Sequence, residues 1–339
     1  MTRLVGLMAF ALFLSGCLSH SRMPASNRYT ASFEHKTEDI FQYSAVPLNP
    51  QFSDLSEEDN RHYQVQRMVF SSFGDNGQEG NLVTADFHKS TRSGAQPLVI
   101  VLPIWGTYTF PSVRMVGTLR KKSRGRMNVL RIHGPEPIYK WSNMEQAESA
   151  QAFAEEVAEG TERVRNTVID LRRLLDWAQD QPGIDSDRVA LIGFSMGAVV
   201  SSIAISNEPR FSRSVLVMGG ANPSEIFAHC DGKLGDTREV VSERFGWDRT
   251  RYQETVAEVL EFGNVMNYAG RVDPRGVLMI EAGKDDCMPE SSRRALWEAM
   301  GQPARITLNY GHKMSFMAMT NFGLNLLPRQ VYRFLRNNL

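Results

Sequence analysis

A serine flanked by two glycines gives the chain a candidate nucleophile. Residues 193–197 read Gly-Phe-Ser-Met-Gly and fit the pattern G-x-S-x-G. The pattern alone occurs by chance in roughly one chain in ten of this length, so its surroundings carry the argument. The apolar residues 189–192 before it predict a strand, and the small residues 198–202 after it predict a helix. A sharp turn between them would expose the Ser195 hydroxyl and point the Met196 N–H at a developing oxyanion.

A serine hydroxyl needs a histidine base, and the chain offers few candidates. The histidine takes the serine proton, and a carboxylate holds the histidine in place. In enzymes that carry the serine in such a turn, the acid and then the histidine follow it along the chain. Of seven histidines, only His229 and His312 follow Ser195. His229 precedes the late strand that should carry the acid, whereas His312 lies just beyond a further strand. His312 is therefore the predicted base.

Apolar runs alternate with helical segments along most of the chain. Short apolar runs predict strands at 63–71, 82–88, 98–102, 128–132, 188–192, 214–218, 277–280 and 306–308. Segments that favour helix lie at 112–121, 147–178, 197–206, 291–300 and 326–335. The first two strands predict an antiparallel hairpin, and the later alternation predicts a mostly parallel sheet covered by helices. Residues 221–272 interrupt the alternation with a charged, helix-leaning insertion.

From about residue 63 to its end, the chain resembles the α/β-hydrolase-fold serine hydrolases. Residues 180–185 and 187–197 are similar to the approach to the nucleophile in esterases and in the dienelactone-hydrolase-like and prolyl-oligopeptidase-like branches. The resemblance implies an α/β-hydrolase domain over 61–339, in which 221–272 takes the place of a lid. It also implies a triad of Ser195, His312 and an aspartate, with no metal or organic cofactor.

Two adjacent aspartates compete for the role of triad acid. Both follow the strand predicted at 277–280. Asp285 keeps the family's spacing to Pro289, the proline that starts the next helix, whereas Asp286 keeps the spacing from Gly283. The helix start favours Asp285, and Asp286 stays open.

The resemblance also implies an oxyanion hole made by two backbone N–H groups. Met196, directly after the nucleophile, supplies one of them. Where the family often has His-Gly, this chain has Pro103 and Ile104. Trp105 is then the expected second donor, with Gly106 giving room, and a register shifted by one residue stays open.

Composition restricts the class of protein and of partner. The chain has 339 residues, of which 42% are hydrophobic and 22% charged, with 38 basic and 38 acidic residues. This composition excludes disorder and coiled coil, and the length allows one large α/β domain or two smaller ones. A net charge of zero argues against nucleic acid as a partner, because phosphate backbones select for clustered lysine and arginine.

The first residues are typical of a targeting segment. Arg3 precedes an apolar stretch over 4–14, which is too short to span a bilayer, and Ser15, Gly16 and Cys17 follow. The segment resembles the lipobox of bacterial lipoproteins, which implies a signal peptide over 1–16 and acylation of Cys17. Leu18 stands where Asp usually retains such proteins at the inner membrane. We therefore expect a lipid anchor in the cell envelope, in the outer membrane facing the periplasm, followed by a tether over 17–60.

The remaining cysteines and histidines have simpler interpretations. Cys230 and Cys287 are expected as two free thiols, although a disulfide that ties the insertion to the acid loop stays open in an oxidising compartment. His133, at a strand end, is interpreted as structural. His229 with Cys230 is too sparse for a zinc site, which needs three or four ligands.

The sequence thus predicts a carboxylic ester hydrolase that works by acyl transfer. The expected substrate is a small-molecule or lipid-like ester, and the expected state is a monomer. A prolyl-oligopeptidase-like peptidase is the first alternative, although no β-propeller precedes the catalytic domain. A non-catalytic envelope protein that uses the fold for binding is the second.

Overall fold

One mixed sheet runs through the part of the chain that the computed structural model describes, which is residues 20–25, 40–44, 47–73, 82–321 and 323–339. Its strands lie in the order β1-β10-β9-β8-β7-β5-β6-β4-β3-β2. Their bounds are β1 His20–Met23, β2 Gln51–Asp54, β3 Tyr63–Ser71, β4 Leu82–Ser90, β5 Gln96–Val101, β6 Asn128–Ile132, β7 Ile184–Phe194, β8 Phe211–Val217, β9 Val277–Ala282 and β10 Ala304–Leu308.

The six central strands are parallel, and the sheet reverses its winding next to β7. β6, β5, β7, β8, β9 and β10 pair in parallel, while β4, β3 and β2 extend one edge antiparallel and β1 extends the other. The chain passes from β5 outward to β6 and returns to the other side of β5 as β7. At such a switch point the connections leave in opposite directions and open a crevice at the carboxyl ends of the strands.

Helices cover both faces of the sheet. Their bounds are α1 Phe110–Ser123, α2 Trp141–Gln146, α3 Ala150–Gln179, α4 Met196–Asn207, α5 Pro223–His229, α6 Lys233–Phe245, α7 Arg249–Val259, α8 Glu290–Ala299, α9 His312–Ser315 and α10 Leu326–Asn338. Successive residues of β5 point to opposite faces, as in any strand. Val99 and Val101 pack beneath α1 and α10, whereas Leu98 and Ile100 join the larger core formed with α3 and α4.

The fold class predicted from the sequence is confirmed. Each predicted strand and helix has its counterpart, and the insertion at 221–272 forms α5, α6, α7 and short 3-10 turns. None of the helices within the described ranges is long and apolar enough to cross a membrane.

The predicted tether over 17–60 needs a correction inside the described residues. β1 pairs with β10 and β2 pairs with β3, so both lie in the sheet, and Phe41 and Leu48 are buried. The domain predicted over 61–339 therefore extends to residues before 61. The two strands were missed because each has four mostly exposed residues and no apolar alternation. The predicted signal peptide and Cys17 lie outside the described residues.

Candidate active site

Ser195 occupies a strained turn between β7 and α4. Its φ of 51° and ψ of −115° are rare for a residue with a side chain. The turn is tight because two glycines allow close contacts. A Cβ at Gly193 would lie 2.1 Å from the Gly197 carbonyl oxygen, and a Cβ at Gly197 would lie 2.3 Å from the Pro103 carbonyl oxygen. The predicted strand, turn and helix thus hold the serine at the carboxyl edge of the sheet.

The structure brings Ser195, His312 and Asp285 into one chain of contacts. Nε2 of His312 lies 3.0 Å from Oγ of Ser195. Nδ1 of the same ring lies 2.9 Å from each carboxylate oxygen of Asp285. Asp285 follows β9 and His312 follows β10, and these strands are parallel neighbours, so their carboxyl ends lie side by side. The Asp285 side chain is fully buried.

The two competing aspartates hold His312 in different ways. Asp285 contacts the imidazole ring, and its Oδ1 accepts hydrogen bonds from the N–H groups of Cys287 at 2.9 Å and Met288 at 2.8 Å. Asp286 accepts a hydrogen bond at Oδ1 from the backbone N–H of His312, at 3.3 Å. Of the two, Asp285 is the carboxylate that the structure brings to the ring.

The loop after β5 faces Ser195 in a strained conformation. Trp105 has a φ of 65° and Gly106 a φ of 118°, and the Gly106 N–H donates to the Gly134 carbonyl at 2.8 Å. The loop packs closely on Gly134, where a Cβ would lie 2.7 Å from the Trp105 ring. Met196 is the first residue of α4, so its N–H has no carbonyl within the helix to bond. The structure places Trp105 and Met196 beside Ser195, lining one cavity with it.

Two cavities meet at Ser195. One has a volume of about 200 Å³ and is lined mainly by apolar side chains, among them Ile138, Tyr139, Trp141 and Phe227. Burial raises the pKa of Tyr139 to about 12, so its phenol stays neutral. The second cavity, of about 470 Å³, includes polar and charged groups, and its lining residues are Ile104, Tyr108, Ser195, Asp231, Gly232, Asp286, Cys287, His312, Lys313 and Phe316.

Known proteins share this arrangement of the sheet. An acetyl xylan esterase from Paenibacillus sp. R4 superposes with a TM-score of 0.63 at 18% identity, over 87% of this chain and 90% of that one. Acetyl xylan esterase 1 from Thermoanaerobacterium sp. JW/SL YS485 superposes with a TM-score of 0.60 at 17% identity, over 94% of this chain and 93% of that one. The acylaminoacyl peptidase of Pyrococcus horikoshii superposes with a TM-score of 0.53 at 12% identity, over 82% of this chain but 42% of that one.

By sequence, residues 126–231 match the Phospholipase/Carboxylesterase family. The chain has the α/β-hydrolase fold. This match over part of the chain supports a hydrolase that acts on carboxylic esters. A search of curated protein sequences finds no significant match to the chain.

A disulfide joins the insertion at 221–272 to the acid loop, which is the loop after β9 that carries Asp285 and Cys287. Cys230 and Cys287 are bonded, so the expectation of two free thiols is wrong. Cys230 directly follows α5, and the neighbouring Asp231 N–H donates to the Asp286 carbonyl at 3.2 Å. This backbone contact brings the two cysteines together, although 57 residues separate them. The disulfide lies next to the cavities, because Cys287 lines both.

His133 and His229 have contacts other than Ser195. His133 contacts Asp86 at 2.8 Å and Arg131 at 2.9 Å. His229 is exposed, and its Nδ1 lies 3.0 Å from the Glu225 carbonyl oxygen. The described residues contain no group of three histidine, cysteine or acidic side chains that could hold a metal ion.

Proposed function

We propose that this α/β-hydrolase cleaves a carboxylic ester by acyl transfer to Ser195, with His312 as base and Asp285 as acid. The observation that carries the proposal is the continuous line of contacts from Asp285 through His312 to Ser195, at 2.9 and 3.0 Å. These distances allow proton transfer between serine and imidazole. A buried carboxylate on the far nitrogen gives the ring one orientation and one tautomer.

The geometry supports a two-stage reaction. With its proton on Nδ1, His312 donates to Asp285 and leaves Nε2 free to accept the Ser195 proton. The serine oxygen attacks the ester carbonyl, and His312 returns the proton to the departing alcohol. Water then attacks the acyl-serine through the same base and releases the carboxylic acid. Asp285 stabilises the imidazolium that forms in each stage without taking the proton.

The oxyanion of each tetrahedral intermediate needs fixed donors. We assign the N–H groups of Met196 and Trp105 to this role, because both residues line the cavity beside Ser195. The strained φ of Trp105 and the start of α4 keep these groups in place before substrate binds. In comparable sites each such donor lowers the barrier by about 3 kcal/mol.

The two cavities support separate binding places for the acyl group and the alcohol of the ester. The aromatic lining of the smaller cavity suits an apolar acyl chain, whereas the larger cavity, with Asp231, Asp286 and Lys313 at its wall, suits the alcohol. Insertion residues such as Ile226 and Phe227 line the acyl side, so 221–272 would select the acyl group. The acetyl xylan esterases of the same fold suggest acetate esters of sugars as one substrate class to include in assays.

A series of nitrophenyl esters from acetate to laurate tests the proposal. We expect turnover that depends on Ser195, with a preference set by acyl length, and no turnover by the Ser195→Ala variant. Hydrolysis that survives in Ser195→Ala at the wild-type rate would remove the proposed nucleophile.

A dipeptide nitroanilide assayed in parallel separates the peptidase alternative. The acylaminoacyl peptidase shares the fold, but the present chain covers less than half of that protein. Cleavage of the amide at a rate comparable to the esters would favour a peptidase. Absence of turnover on either class would favour a binding protein.

We also propose that the chain is anchored to the cell envelope through acylated Cys17. The short apolar stretch before Ser15, Gly16 and Cys17 supports it. Incorporation of labelled palmitate in a bacterial host, lost in Cys17→Ala, is the expected result. Equal labelling of the variant would contradict it.

A further inference from the structure

Acidic residues are missing from two long stretches of a chain whose net charge is zero. Residues 87–135 and 299–339 contain no aspartate or glutamate. Helices α1 and α10 come from these stretches. α1 carries Arg114, Arg120, Lys121 and Lys122, and α10 carries Arg329, Arg333 and Arg336.

These two helices lie side by side in one layer and run in the same direction. Near the start of α1, the Arg114 guanidinium donates to the Met319 carbonyl at 3.0 Å and to Asn325, the residue before α10. Further along, the Tyr332 hydroxyl of α10 donates to the Lys122 carbonyl at 3.0 Å. The basic ends of both helices therefore lie together.

The basic side chains point away from the sheet. Leu327, Val331 and Leu335 of α10 are buried in the core, whereas Arg329, Arg333 and Arg336 are exposed at spacings of four and three. Lys121 and Lys122 of α1 are exposed in the same way. The outer surface of the layer thus carries several positive charges and, within the two helices, no negative one.

The starts of both helices carry exposed apolar side chains instead. Tyr108, Phe110 and Val113 are 52%, 36% and 49% exposed at the start of α1, and Met317 and Leu324 are 41% and 44% exposed before α10. Tyr108 also lines the larger cavity at Ser195, and its ring lies 6.1 Å from that of Phe316. The apolar end of the layer therefore borders the opening to the candidate active site.

The opposite layer has a different pattern of charge. α3 and α7 carry residues of both signs, and these pair along the helix, as in Arg163 with Glu159 and Arg251 with Glu254. Arg249 and Arg294 are exposed there among acidic neighbours. The positive surface is thus a property of one layer and cannot be seen in the net charge.

We propose that the outer surface of α1 and α10 docks onto an anionic phospholipid bilayer. Lysine and arginine are drawn to anionic headgroups, and apolar side chains beside them enter the boundary between headgroups and acyl chains. Docked this way, Tyr108 and its apolar neighbours meet the bilayer next to the opening above Ser195. A nucleic acid would match the charge but would leave these apolar side chains without a role.

Binding to vesicles tests the proposal separately from catalysis. Chain from residue 17 onward, which lacks the apolar stretch over 4–14, carries Ser195→Ala, which removes turnover, and Cys17→Ser, which prevents acylation. It is mixed with phosphatidylcholine vesicles with or without phosphatidylglycerol. We expect binding that needs phosphatidylglycerol and weakens as salt is raised. Because the nucleophile is absent, failure of the proposed ester hydrolysis would leave this result unchanged.

Charge reversal on the two layers provides matched variants. Arg329→Glu, Arg333→Glu and Arg336→Glu together should lower partitioning onto anionic vesicles about tenfold or more. The matched change in net charge, Arg249→Glu with Arg251→Glu and Arg294→Glu, should leave most of the binding intact. Thermal melts of both triple variants verify that they fold.

A pair of apolar substitutions tests the other half of the surface. Val113→Ser with Leu324→Ser should weaken binding to anionic vesicles severalfold and leave the salt dependence unchanged. Equal loss in both charge-reversed variants, or equal binding to neutral vesicles, would overturn the proposal. So would binding of duplex DNA that competes fully with vesicles and ignores the apolar substitutions.

Discussion

His312 and His133 each follow a parallel strand of the same sheet, and each contacts an aspartate. The ring of His312 lies 2.9 Å from Asp285, and that of His133 lies 2.8 Å from Asp86. His312 alone of the two reaches Ser195. A histidine and aspartate pair is therefore common to two places in this molecule, and the difference lies in what surrounds each pair.

Positive charge surrounds the pair at Asp86. Arg67 contacts this carboxylate at 2.7 Å and Arg131 at 2.5 Å. Burial by itself would raise the pKa of Asp86, but the hydrogen bonds from His133 and Arg131 outweigh it and hold that pKa well below its usual range. Arg131 also lies 2.9 Å from the His133 ring.

The partners of Asp285 are neutral apart from the histidine. Its Oδ1 accepts from the backbone N–H groups of Cys287 and Met288, and no arginine or lysine within the described ranges forms an ion pair with it. The full negative charge can then stabilise an imidazolium at His312. We therefore propose the pair at His312, and not the pair at His133, for general base catalysis.

The pairs also differ in how their aspartates are held. Asp86 lies within β4, opposite Arg131 of β6, so the sheet itself fixes it. Asp285 lies in a loop and depends on local hydrogen bonds and on the disulfide of Cys287. The pair at His312 should therefore be more sensitive than the pair at His133 to changes in loop geometry.

Removing the nucleophile should lower kcat more than any other change to the two pairs. Ser195→Ala is expected to lower kcat for a nitrophenyl ester by about 10⁵-fold, since the histidine then has no proton to take. His133→Ala, the matched loss at the structural pair, should keep kcat within about threefold of the wild type in the folded protein. Similar losses in the two variants would mean that the pairs have equal roles.

Removing the charge of one aspartate should cause the second largest loss of kcat. Asp285→Asn is expected to lower kcat by about 10⁴-fold, because the amide favours the wrong tautomer of His312. Asp286→Asn keeps an oxygen that can accept the backbone N–H and should cost only about threefold. Steady-state kinetics of both variants test which aspartate is the triad acid. A larger loss of kcat in Asp286→Asn than in Asp285→Asn would assign that role to Asp286.

Opening the disulfide should have a smaller effect on rate. Cys230→Ser combined with Cys287→Ser is expected to lower kcat about tenfold, since a modest displacement of the acid loop misaligns Asp285. The free energy of unfolding should fall by about 4 kcal/mol for a loop of this length. Denaturant titration and kinetics measure both. Unchanged kcat would show that hydrogen bonds alone hold the loop.

Breaking the structural pair should change stability and leave the rate almost unaffected. Asp86→Asn leaves the half-buried Arg131 without its carboxylate and should lower the free energy of unfolding by about 3 kcal/mol. Because the pKa of Asp86 lies below its ordinary value of 3.8 in the folded state, its contribution is present above that pH and is lost as the pH falls further.

The difference in unfolding free energy between wild type and Asp86→Asn should therefore shrink under acid conditions. Denaturant titrations from neutral pH downward measure this difference. A difference that stays constant or grows as the pH falls below about 4 would contradict the assignment of Asp86 as a stabilising ionised carboxylate.

The sequence predicted those features that depend on local pattern and chain order. Buried parallel strands are continuous apolar runs, and this marked the strands before Ser195 and His312. Both edge strands escaped prediction, because four exposed residues give no periodic signal. The choice between two adjacent aspartates depends on which side chain the loop turns toward the ring, and spacing could favour Asp285 but could not show its direction.

The sequence left the disulfide open as an alternative but favoured two free thiols, for a similar reason. Cys230 and Cys287 meet only because α5 and the acid loop come together after a separation of 57 residues. The charge of the α1 and α10 layer was hidden as well, because acidic residues elsewhere in the chain offset its basic residues in the net charge.

We propose that the surroundings of His312 make Ser195 the reactive nucleophile of this chain. Reaction of the folded wild-type protein with a fluorophosphonate, followed by peptide mass mapping, tests this reactivity. We expect one adduct per molecule, located on Ser195, and its loss in His312→Ala. No adduct on the folded protein, or an adduct on another serine that survives in Ser195→Ala, would contradict it.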